Sequence, residues 1–549
     1  MIGRHGLPGS LSGSLSPYVS SYYNAGPKTL PGRAALRPKG SMSTQLSNPT
    51  SLASASDKPA AARIASLGWL LPFHALVWTL AAWLARGNLD IQGDMVETYV
   101  WGIEWQAGYA KHPPLSSWVA AAWFSVFPHT DLAYFALSAV NVLVGLAGIV
   151  ALAGRFVPRQ IAIIAGLAMA VSPLYSNLAI KFNPNSILLS VWPWTAYFFV
   201  RYVQPGSRLS RSGAALGLGA CAALAVLGKY FTIVLLLGLL LALLARPAWR
   251  ARLVSVDSLL AVAAGVAVLA PHVHWMMVNH FPTLEYAAQR TGGTLLAAVG
   301  RFGIYTLAQI GYLALSFVFV LLMVRTRGAA RLMALSVVRS ASYPDLWWLA
   351  LGPLFAVGLL SVIGKTQMAS VWGMAQWFAM VPLWLAVLVQ ARFEFAPQRA
   401  IRVMAVYWAL VLAVSAVVGY TGARRNSDDA AEPRAELAAA AQALWHERTS
   451  QPLSIVAGST HEAASMVFYD GGRARFWDLD WPAATPWLTS ADFARQGSLI
   501  VCRGDDSGCI ATASSLSHAA PIALEVSKTA WGRELPARPY QLFVIVPQS

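Results

Sequence analysis

Residues whose types could carry out acid–base or electrostatic chemistry are concentrated in one stretch early in the chain. The carboxylates Asp94, Glu97 and Glu104 follow one another at separations of three and seven residues, and Lys111 and His112 come shortly after them. In an α-helix these separations bring side chains near one face. Grouped carboxylates could act as a general base or stabilise a cationic transition state. The same residues also suit a helix N-terminus that Asp94 caps, with the other acids simply solvated.

Further candidates stand at the edges of later hydrophobic runs, where a binding site could reach them. They are Asn185, Lys229, Tyr230, His272 and Lys365. A lysine at a helix end commonly extends its ammonium group to lipid headgroups, so Lys229 suits an anchor as well as a phosphate ligand. Lys365 equally suits an interfacial position. His272 and His274 are two residues apart and would point to different helix faces, which argues against a two-histidine metal site.

The amino-acid composition indicates the class of protein in which these residues lie. Of 549 residues, 56% are hydrophobic and 12% are charged, whereas a soluble protein has about 25% charged residues. The net charge of +16 does not indicate a nucleic-acid partner, because the basic residues form short runs between apolar segments and no single patch. The sequence therefore predicts a mainly α, polytopic membrane protein.

Eleven apolar segments predict the spans. A bilayer core about 30 Å thick requires about 20 apolar residues per helix. The predicted spans are 66–86, 131–153, 160–179, 185–203, 211–228, 230–245, 256–278, 302–324, 346–363, 370–390 and 400–420. Segment 113–127 is apolar but short, and we predict that it forms a helix along the outer membrane interface.

The basic residues predict the orientation. If segment 113–127 does not cross, one side of the membrane holds 22 Lys and Arg residues, and the other side, before the long tail, holds seven. The positive-inside rule then places the N-terminus in the cytoplasm and residues 421–549 outside. The arginine-bearing loops of the basic side are 154–159, 201–211, 246–252, 325–339 and 392–402.

Three regions follow from this topology. Residues 1–62 are rich in Ser, Gly, Pro and Ala without a hydrophobic period, which predicts a disordered cytoplasmic leader, and Met42 offers an alternative start. Residues 63–420 form the transmembrane domain, with a first external loop at 87–130. Residues 421–549 combine a helical stretch with short apolar runs, which predicts a small α/β domain. A bridge between Cys502 and Cys509 is expected if this domain lies in an oxidising compartment.

The first external loop resembles that of glycosyltransferase family 39, which includes protein O-mannosyltransferases and the aminoarabinose transferase of lipid A. The likeness consists of Gly93 and Asp94, an aromatic-rich helix, Gly108 and Tyr109, a charged residue, and then His-Pro-Pro-Leu at 112–115. It extends to Asn-Pro-Asn at 183–185, Leu-Gly-Lys-Tyr at 227–230 and Pro-His-Val-His-Trp at 271–275.

The resemblance implies a GT-C type helix bundle with an outward cavity under the first external loop. There Asp94 would be the catalytic aspartate, with Glu97 replacing the acid usual directly after it, where this chain has Met95. Lys111 and Asn185 stand where the family often has carboxylates, so likely metal ligands are missing and a divalent metal stays an open alternative to no cofactor. The substrate-binding residues would be Lys111, His112, Asn185, Lys229, Tyr230, His272 and Lys365.

The expected reaction transfers a sugar from a polyprenyl-phosphate donor to an acceptor on the periplasmic face of the bacterial inner membrane. The lipid A phosphate is the first expectation for the acceptor, with inversion at the anomeric carbon. A protein hydroxyl or another envelope glycan is the alternative. A lipid or sugar-lipid transporter is the non-enzyme alternative, but it would usually show internal repeats, and none is visible. Membrane lipids are expected partners, and nucleic acid is not.

Overall fold

The computed structural model describes residues 66–289, 292–338, 343–366 and 368–547. The predicted leader, residues 1–62, lies outside the described residues. Helices follow one another along the chain as far as Arg424. They are α1 (Leu70–Ala85), α2 (Asp94–Gly102), α3 (Leu115–Phe124), α4 (Asp131–Ala153), α5 (Arg159–Ala170), α6 (Leu188–Val203), α7 (Arg208–Gly228), α8 (Ile233–Ala245), α9 (Pro247–Arg250), α10 (Val256–Val278), α11 (Pro282–Ala288), α12 (Leu295–Met323), α13 (Ala329–Val338), α14 (Pro344–Gly364), α15 (Met380–Gln390) and α16 (Arg399–Arg424).

Serine and threonine caps fix where four of the long helices begin. A side-chain oxygen accepts the backbone N–H three residues further on at the starts of α4, α7, α10 and α12. The capping residues are Thr130, Ser207, Ser255 and Thr294. Such a bond satisfies one of the N–H groups that have no partner inside the helix. The chain therefore enters these helices at polar residues that precede each apolar run.

The helices account for the predicted spans. In the described part of the chain, seven helices are long and apolar enough to cross a membrane, and the pair Arg159–Ala170 and Pro173–Ile180, bent by 83°, would be an eighth. Shorter helices lie in the remaining predicted segments, and in 370–390 the turn residues 374–379 precede α15. The count of eleven spans stays a prediction. The helix α3 has ten residues and is about 15 Å long, which is too short to cross a bilayer core by itself.

The connections gather at two ends of the bundle. The loops that the charges assign to the basic side contact one another at one end, called here the arginine end. The contacts there are Arg155 with Gln204, Tyr202 with Arg252, Arg211 with Asp257, Arg246 with Asp345, and Val324 with Phe395. Between the two ends, α5 is enclosed by its neighbours, and residues 162–170 are all buried.

The remaining connections meet at the opposite end, called here the carboxylate end. The contacts there are Lys181 with Asp90 and Asp94, Lys229 with Asn185, His272 with Ala107, Thr283 with Tyr109, and Gly292 with Lys365. The structure thus sorts the loops into the same two groups as the charge count. The first external loop lies at the carboxylate end.

The tail forms a small α/β domain, as the sequence predicts. The helix α16 continues to Arg424, a few residues past the predicted end of the last span. The tail elements are α17 (Asp428–Ala431), α18 (Arg434–Arg448), β1 (Ile455–Gly458), α19 (Ala463–Tyr469), β2 (Arg475–Asp478), α20 (Ala491–Gln496), β3 (Ser498–Arg503), α21 (Ser507–Ser517), β4 (Ile522–Val526), β5 (Thr529–Ala530), β6 (Arg533–Glu534) and β7 (Arg538–Ile545).

The sheet of this domain has the strand order β2-β1-β3-β7-β4. The strands β2, β1 and β3 are parallel, and β7 runs antiparallel to both β3 and β4. The strands β5 and β6 form a separate hairpin. Cys502 and Cys509 form the expected disulfide, with their Cα atoms 5.7 Å apart.

Candidate active site

Asp90, and not Asp94, caps the helix that carries the candidate catalytic acids. The Asp90 carboxylate accepts the backbone N–H groups of Asp94 and Met95 at 3.0 and 2.8 Å. Gly93 makes the turn between them with φ of 77°, a conformation that glycine adopts without strain. Because Asp90 already satisfies the helix N-terminus, the carboxylate of Asp94 is left for another task. This removes the alternative that Asp94 serves only as the cap.

The Asp94 carboxylate is partly open to solvent and faces a cation. Its side chain is 45% exposed, and Oδ2 lies 2.7 Å from Lys181 Nζ. Asn183 Nδ2 donates to the same oxygen at 3.2 Å. Lys181 also contacts Asp90 Oδ2 at 2.9 Å. One ammonium therefore bridges the capping aspartate and the candidate catalytic aspartate.

Glu97 lies one helical turn further along and is enclosed. Its Oε1 is 2.5 Å from Lys111 Nζ. Burial raises the pKa of Glu97 to about 7, although Lys111 opposes the shift. Burial lowers the pKa of Lys111, but the carboxylate of Glu97 outweighs it, so this pKa lies above its usual value. Above pH 7 the two side chains therefore form an ion pair, and below it the lysine keeps its charge while Glu97 is neutral.

A narrow cleft of about 30 Å³ brings the two acids together with other predicted site residues. The residues lining it are Asp94, Glu97, Thr98, Trp101, His112, Ser117, Asn183, Pro184 and Asn185. Positions 94, 97, 98 and 101 form one face of α2, as the spacing predicts. Carboxylates, amides, an imidazole and nearby ammonium groups in one cleft can bind hydroxyl and phosphate groups.

Glu104 does not join this face, contrary to the sequence prediction. The helix α2 ends at Gly102, where the backbone passes so close to that of Ser117 that a Cβ would lie 2.1 Å from a carbonyl oxygen. Glu104 follows in a loop and forms a bidentate ion pair with Arg475 of the C-terminal domain. The nitrogen–oxygen distances are 2.9 and 2.5 Å. The third carboxylate therefore joins two domains and stays outside the cleft.

Lys229 reaches the cleft through Asn185. Its Nζ donates to Asn185 Oδ1 at 2.6 Å, and the same ammonium lies 4.9 Å from the centre of the Trp372 ring. Lys229 follows the last residue of α7, and Asn185 precedes α6, so two separate connections supply this pair. An ammonium held beside the cleft is suited to the phosphate of a donor.

Tyr230 and His272 form a hydrogen-bonded chain that contacts the predicted first external loop at Ala107. The Tyr230 hydroxyl lies 2.6 Å from His272 Nε2, and His272 Nδ1 lies 2.7 Å from the carbonyl oxygen of Ala107. The carbonyl must accept, so Nδ1 carries the proton and Nε2 accepts from the tyrosine. Lys365 is exposed after α14, and its described hydrogen bonds are made by its backbone N–H, which donates to Ser361, and by its backbone carbonyl. Substrate contacts of these three residues stay predictions.

The described residues contain one group of His, Cys, Asp and Glu side chains close enough to share a metal ion, and it lies in the C-terminal domain. It consists of Glu432, His461 and Glu462. Arg434 donates to His461 Nε2 at 2.7 Å, and Arg503 pairs with Glu432 at 3.4 Å. One atom of His461 and one of Glu432 therefore already accept from arginine side chains, and two cations beside the group oppose the binding of a metal ion. In the cleft, each acid faces a lysine, which is also a poor fit for a metal.

Sequence reasoning did not select Lys181 or Trp101 for the site. Lys181 is separated by about ninety residues from the two aspartates that it pairs with. The sequence carried no signal for this pairing, because Asp90 and Asp94 lie between the predicted spans, where carboxylates are commonly solvated. Trp101 lines the cleft, and its ring lies 5.7 Å from Lys111 Nζ. As one of 22 tryptophans, it carried no distinguishing signal.

Comparison with known proteins agrees with this arrangement. Residues 111–275 match the protein family described as Dolichyl-phosphate-mannose-protein mannosyltransferase. No curated protein matches the sequence. Among solved structures, ArnT from Cupriavidus metallidurans bound to undecaprenyl phosphate is similar with a TM-score of 0.56, and the apo state of ArnT with a TM-score of 0.51. In both cases the identity is 16%, with 90% of this chain and 100% of that chain covered. The family match confirms the predicted resemblance, and the structures confirm the helix-bundle fold.

Proposed function

We propose that this chain, a glycosyltransferase by its family domain in residues 111–275, takes its sugar from a polyprenyl-phosphate carrier at the periplasmic face of a bacterial inner membrane. The proposed acceptor is the phosphate of lipid A. The observation that carries the proposal is the Asp94 carboxylate, which is partly exposed in a cleft ringed by Lys181, Lys111 and Lys229. A cleft of this kind suits a reaction between phosphorylated lipids.

The chemistry is a single displacement at the anomeric carbon. The bond from that carbon to the phosphate oxygen breaks as the acceptor oxygen attacks, through an oxocarbenium-like state, and the configuration inverts. Lys229, with His112 and Lys111, would stabilise the leaving phosphate. With a hydroxyl acceptor, Asp94 would take its proton. With an anionic phosphate acceptor, Asp94 would orient the nucleophile or stabilise the cationic sugar. No step requires a metal.

Two observations support the choice of substrates. One solved structure with a similar fold is that of a protein bound to undecaprenyl phosphate, which favours a polyprenyl-phosphate donor here. Lys111 stands beside the cleft where the family resemblance leads one to expect an acid, and Asn185 replaces another, which favours a phosphate acceptor. The description of the matching family names protein mannosyltransfer, so a protein hydroxyl is the second candidate acceptor.

The proposed orientation places the cleft and the C-terminal domain outside the cytoplasm. The disulfide between Cys502 and Cys509 suits an oxidising compartment, and the arginine end suits the cytoplasm. An alkaline phosphatase fused after residue 425 should therefore be active. An inactive fusion at this position, together with an active one in the loop around Arg250, would refute the orientation.

Mass spectrometry of lipid A tests the proposed acceptor. Cells with the gene should show lipid A carrying an additional sugar mass, which cells without the gene lack. The Asp94→Asn variant should behave like the deletion. Asp429→Asn, which changes an exposed aspartate, should behave like the wild type. Lipid A that is identical with and without the gene would refute this acceptor, and a sugar mass on envelope proteins would favour the second candidate.

A further inference from the structure

Two adjoining clefts form a groove on the other side of α2 from the candidate active site. One has a volume of about 490 Å³ and the other about 360 Å³, and both are lined by Trp83 and Asp131. Together they are called here the lateral groove. It lies where α1 ends, where α4 begins, and where α18 and the β5–β6 hairpin of the C-terminal domain approach the bundle. Neither cleft shares a lining residue with the candidate active site.

The floor of the lateral groove continues an apolar surface that faces away from the bundle. The exposed side chains of α1 follow one another at separations of three or four residues and so form one stripe along the helix. They are Phe73, Leu76, Leu80 and Trp83, and Trp83 is 53% exposed. In a membrane helix such a stripe faces lipid, and this one runs into the groove at Trp83. An acyl chain lying on it would bring its headgroup to the groove.

The rim of the groove holds two basic residues that make no direct ion pair. Arg86 and Lys528 line one of the clefts, and within the described residues neither has a carboxylate within 4 Å. Lys528 Nζ donates to the carbonyl oxygen of Gly87 at 2.5 Å and to Asn88 Oδ1 at 3.1 Å, both neutral acceptors. Burial lowers the pKa of Lys528. The carboxylate of Asp131 accepts from the Tyr469 hydroxyl. Glu436, Asp131 and Glu432 act on Lys528 only from beyond 4 Å, so a phosphate at the rim would add the direct charge-assisted hydrogen bonds that the two cations do not make.

The hairpin places an aromatic residue at the mouth of the groove. Trp531 occupies its tip with φ of 52°, and Gly532 follows with φ of 72°. A bulky residue rarely adopts such a conformation, whereas glycine and asparagine favour it. Trp531 is 48% exposed and packs edge-on against Tyr420 near the end of α16. Tryptophan and tyrosine favour the membrane interface, so the hairpin tip marks the depth at which lipid headgroups lie.

From this arrangement we propose that the lateral groove binds an anionic phospholipid of the surrounding bilayer. The phosphate lies between Arg86 and Lys528, and an acyl chain follows the exposed stripe of α1. The groove also reaches the face of α2 that points away from the candidate active site. His129 lines the groove, and its Nε2 lies 2.7 Å from the hydroxyl of Tyr99 on α2. The bound lipid therefore supports the helix whose opposite face carries Asp94 and Glu97.

Lipid titration of the full-length, delipidated protein tests the proposal by native mass spectrometry. Phosphatidylglycerol should bind about tenfold or more tightly than phosphatidylcholine, because each basic residue near an anionic lipid contributes about 1 kcal/mol. The double variant Arg86→Gln, Lys528→Met should lose this preference. The matched control Arg327→Gln, Arg331→Gln removes two exposed arginines at the arginine end and should keep it.

The variant Arg86→Gln alone covers the case in which the loss of Lys528 prevents folding. Arg86 is partly exposed, and no described side-chain hydrogen bond depends on it, so this variant should fold and show an intermediate loss of preference. Equal binding of the two lipids by the wild-type protein would overturn the proposal. An equal loss in the control pair would also overturn it. If the double variant kept its preference for phosphatidylglycerol but lost sugar transfer, the groove would be a binding site for the acceptor. That result would also overturn the proposal.

Discussion

The two ends of the helix bundle differ in how their positive charge is divided between arginine and lysine. Between the first and last spans, every basic residue of the loops at the arginine end is an arginine. The carboxylate end instead holds four lysines, Lys111, Lys181, Lys229 and Lys365, together with three arginines. Arginine forms rigid, forked contacts, whereas lysine is a compact charge on a flexible stem. The difference suggests that one end is built to hold helices and the other to handle a charged substrate.

The contacts of the two ends agree with this distinction. At the arginine end, Arg211 and Arg246 each pair with an aspartate in the first turn of a long helix, Asp257 and Asp345. These pairs join neighbouring helices. At the carboxylate end, Lys181 bridges two aspartates and lies beside the cleft. The ammonium group of Lys181 can therefore release the carboxylate of Asp94 and bind a phosphate without breaking a contact between two helices.

The strongest test compares one aspartate from each end. Asp94→Asn keeps the size of the side chain and should lower the transfer rate by about 10³ or more, because a positioned carboxylate contributes 10²–10⁴. Asp257→Asn should leave the transfer rate unchanged and lower the melting temperature by a few degrees, because Arg211 loses its partner. Transfer assays and thermal unfolding of both variants provide the measurements. Wild-type transfer in Asp94→Asn would contradict the site assignment.

A second test asks whether the lysine chemistry matters at the carboxylate end. In Lys181→Arg the forked side chain should hold Asp90 and Asp94 together more rigidly and withdraw Asp94 from the substrate. Hydrogen bonds to charged groups are worth about 1.5–3 kcal/mol, so transfer should fall about ten- to a hundredfold with the fold intact. The melting temperature serves as the control. Unchanged transfer would mean that any cation suffices at this position.

The sequence predicted the scaffold better than the cleft, for a physical reason. The span predicted at 131–153 is α4, Asp131–Ala153, and the one at 256–278 is α10, Val256–Val278. Apolar length and the polar residues at the ends of a run are local properties, and these fix a membrane helix. The grouping of Asp94, Glu97, His112 and Asn185 was also predictable, because helical spacing and the family resemblance pointed to it.

The errors concern partners that are distant in the sequence. Glu104 was expected on the face of α2, but its partner, Arg475, belongs to the C-terminal domain. The choice between Asp90 and Asp94 as the cap depends on one turn at Gly93, which the spacing of the acids does not determine. The pairing of Lys181 with both aspartates joins two connections at the carboxylate end. Only the folded chain shows which charges meet, because the bundle brings together residues from every connection.

The third test uses the pKa of Glu97 at the carboxylate end. Burial raises this pKa to about 7, so the ionised carboxylate is present above pH 7 and is lost as the pH falls. If transfer requires that charge, the rate should fall about tenfold for each pH unit below 7. Glu97→Gln should remove this inflection and leave a low rate. Glu285→Gln, at an exposed position, should keep it. A wild-type rate that is flat from pH 8 to pH 6 would contradict a role for ionised Glu97.

The smallest effect is expected from the reverse exchange at the arginine end. Arg246 lies 3.2 Å from Asp345 Oδ1, and its guanidinium lies 5.3 Å from the centre of the Trp249 ring. Arg246→Lys keeps the charge but loses the planar contact with the ring, which costs at most about 1 kcal/mol at a partly exposed position. Transfer should be unchanged, and thermal unfolding should shift by a few degrees at most. Because Lys181→Arg exchanges the same two residue types, a loss of transfer in Arg246→Lys as large as in Lys181→Arg would show that the two ends are not specialised.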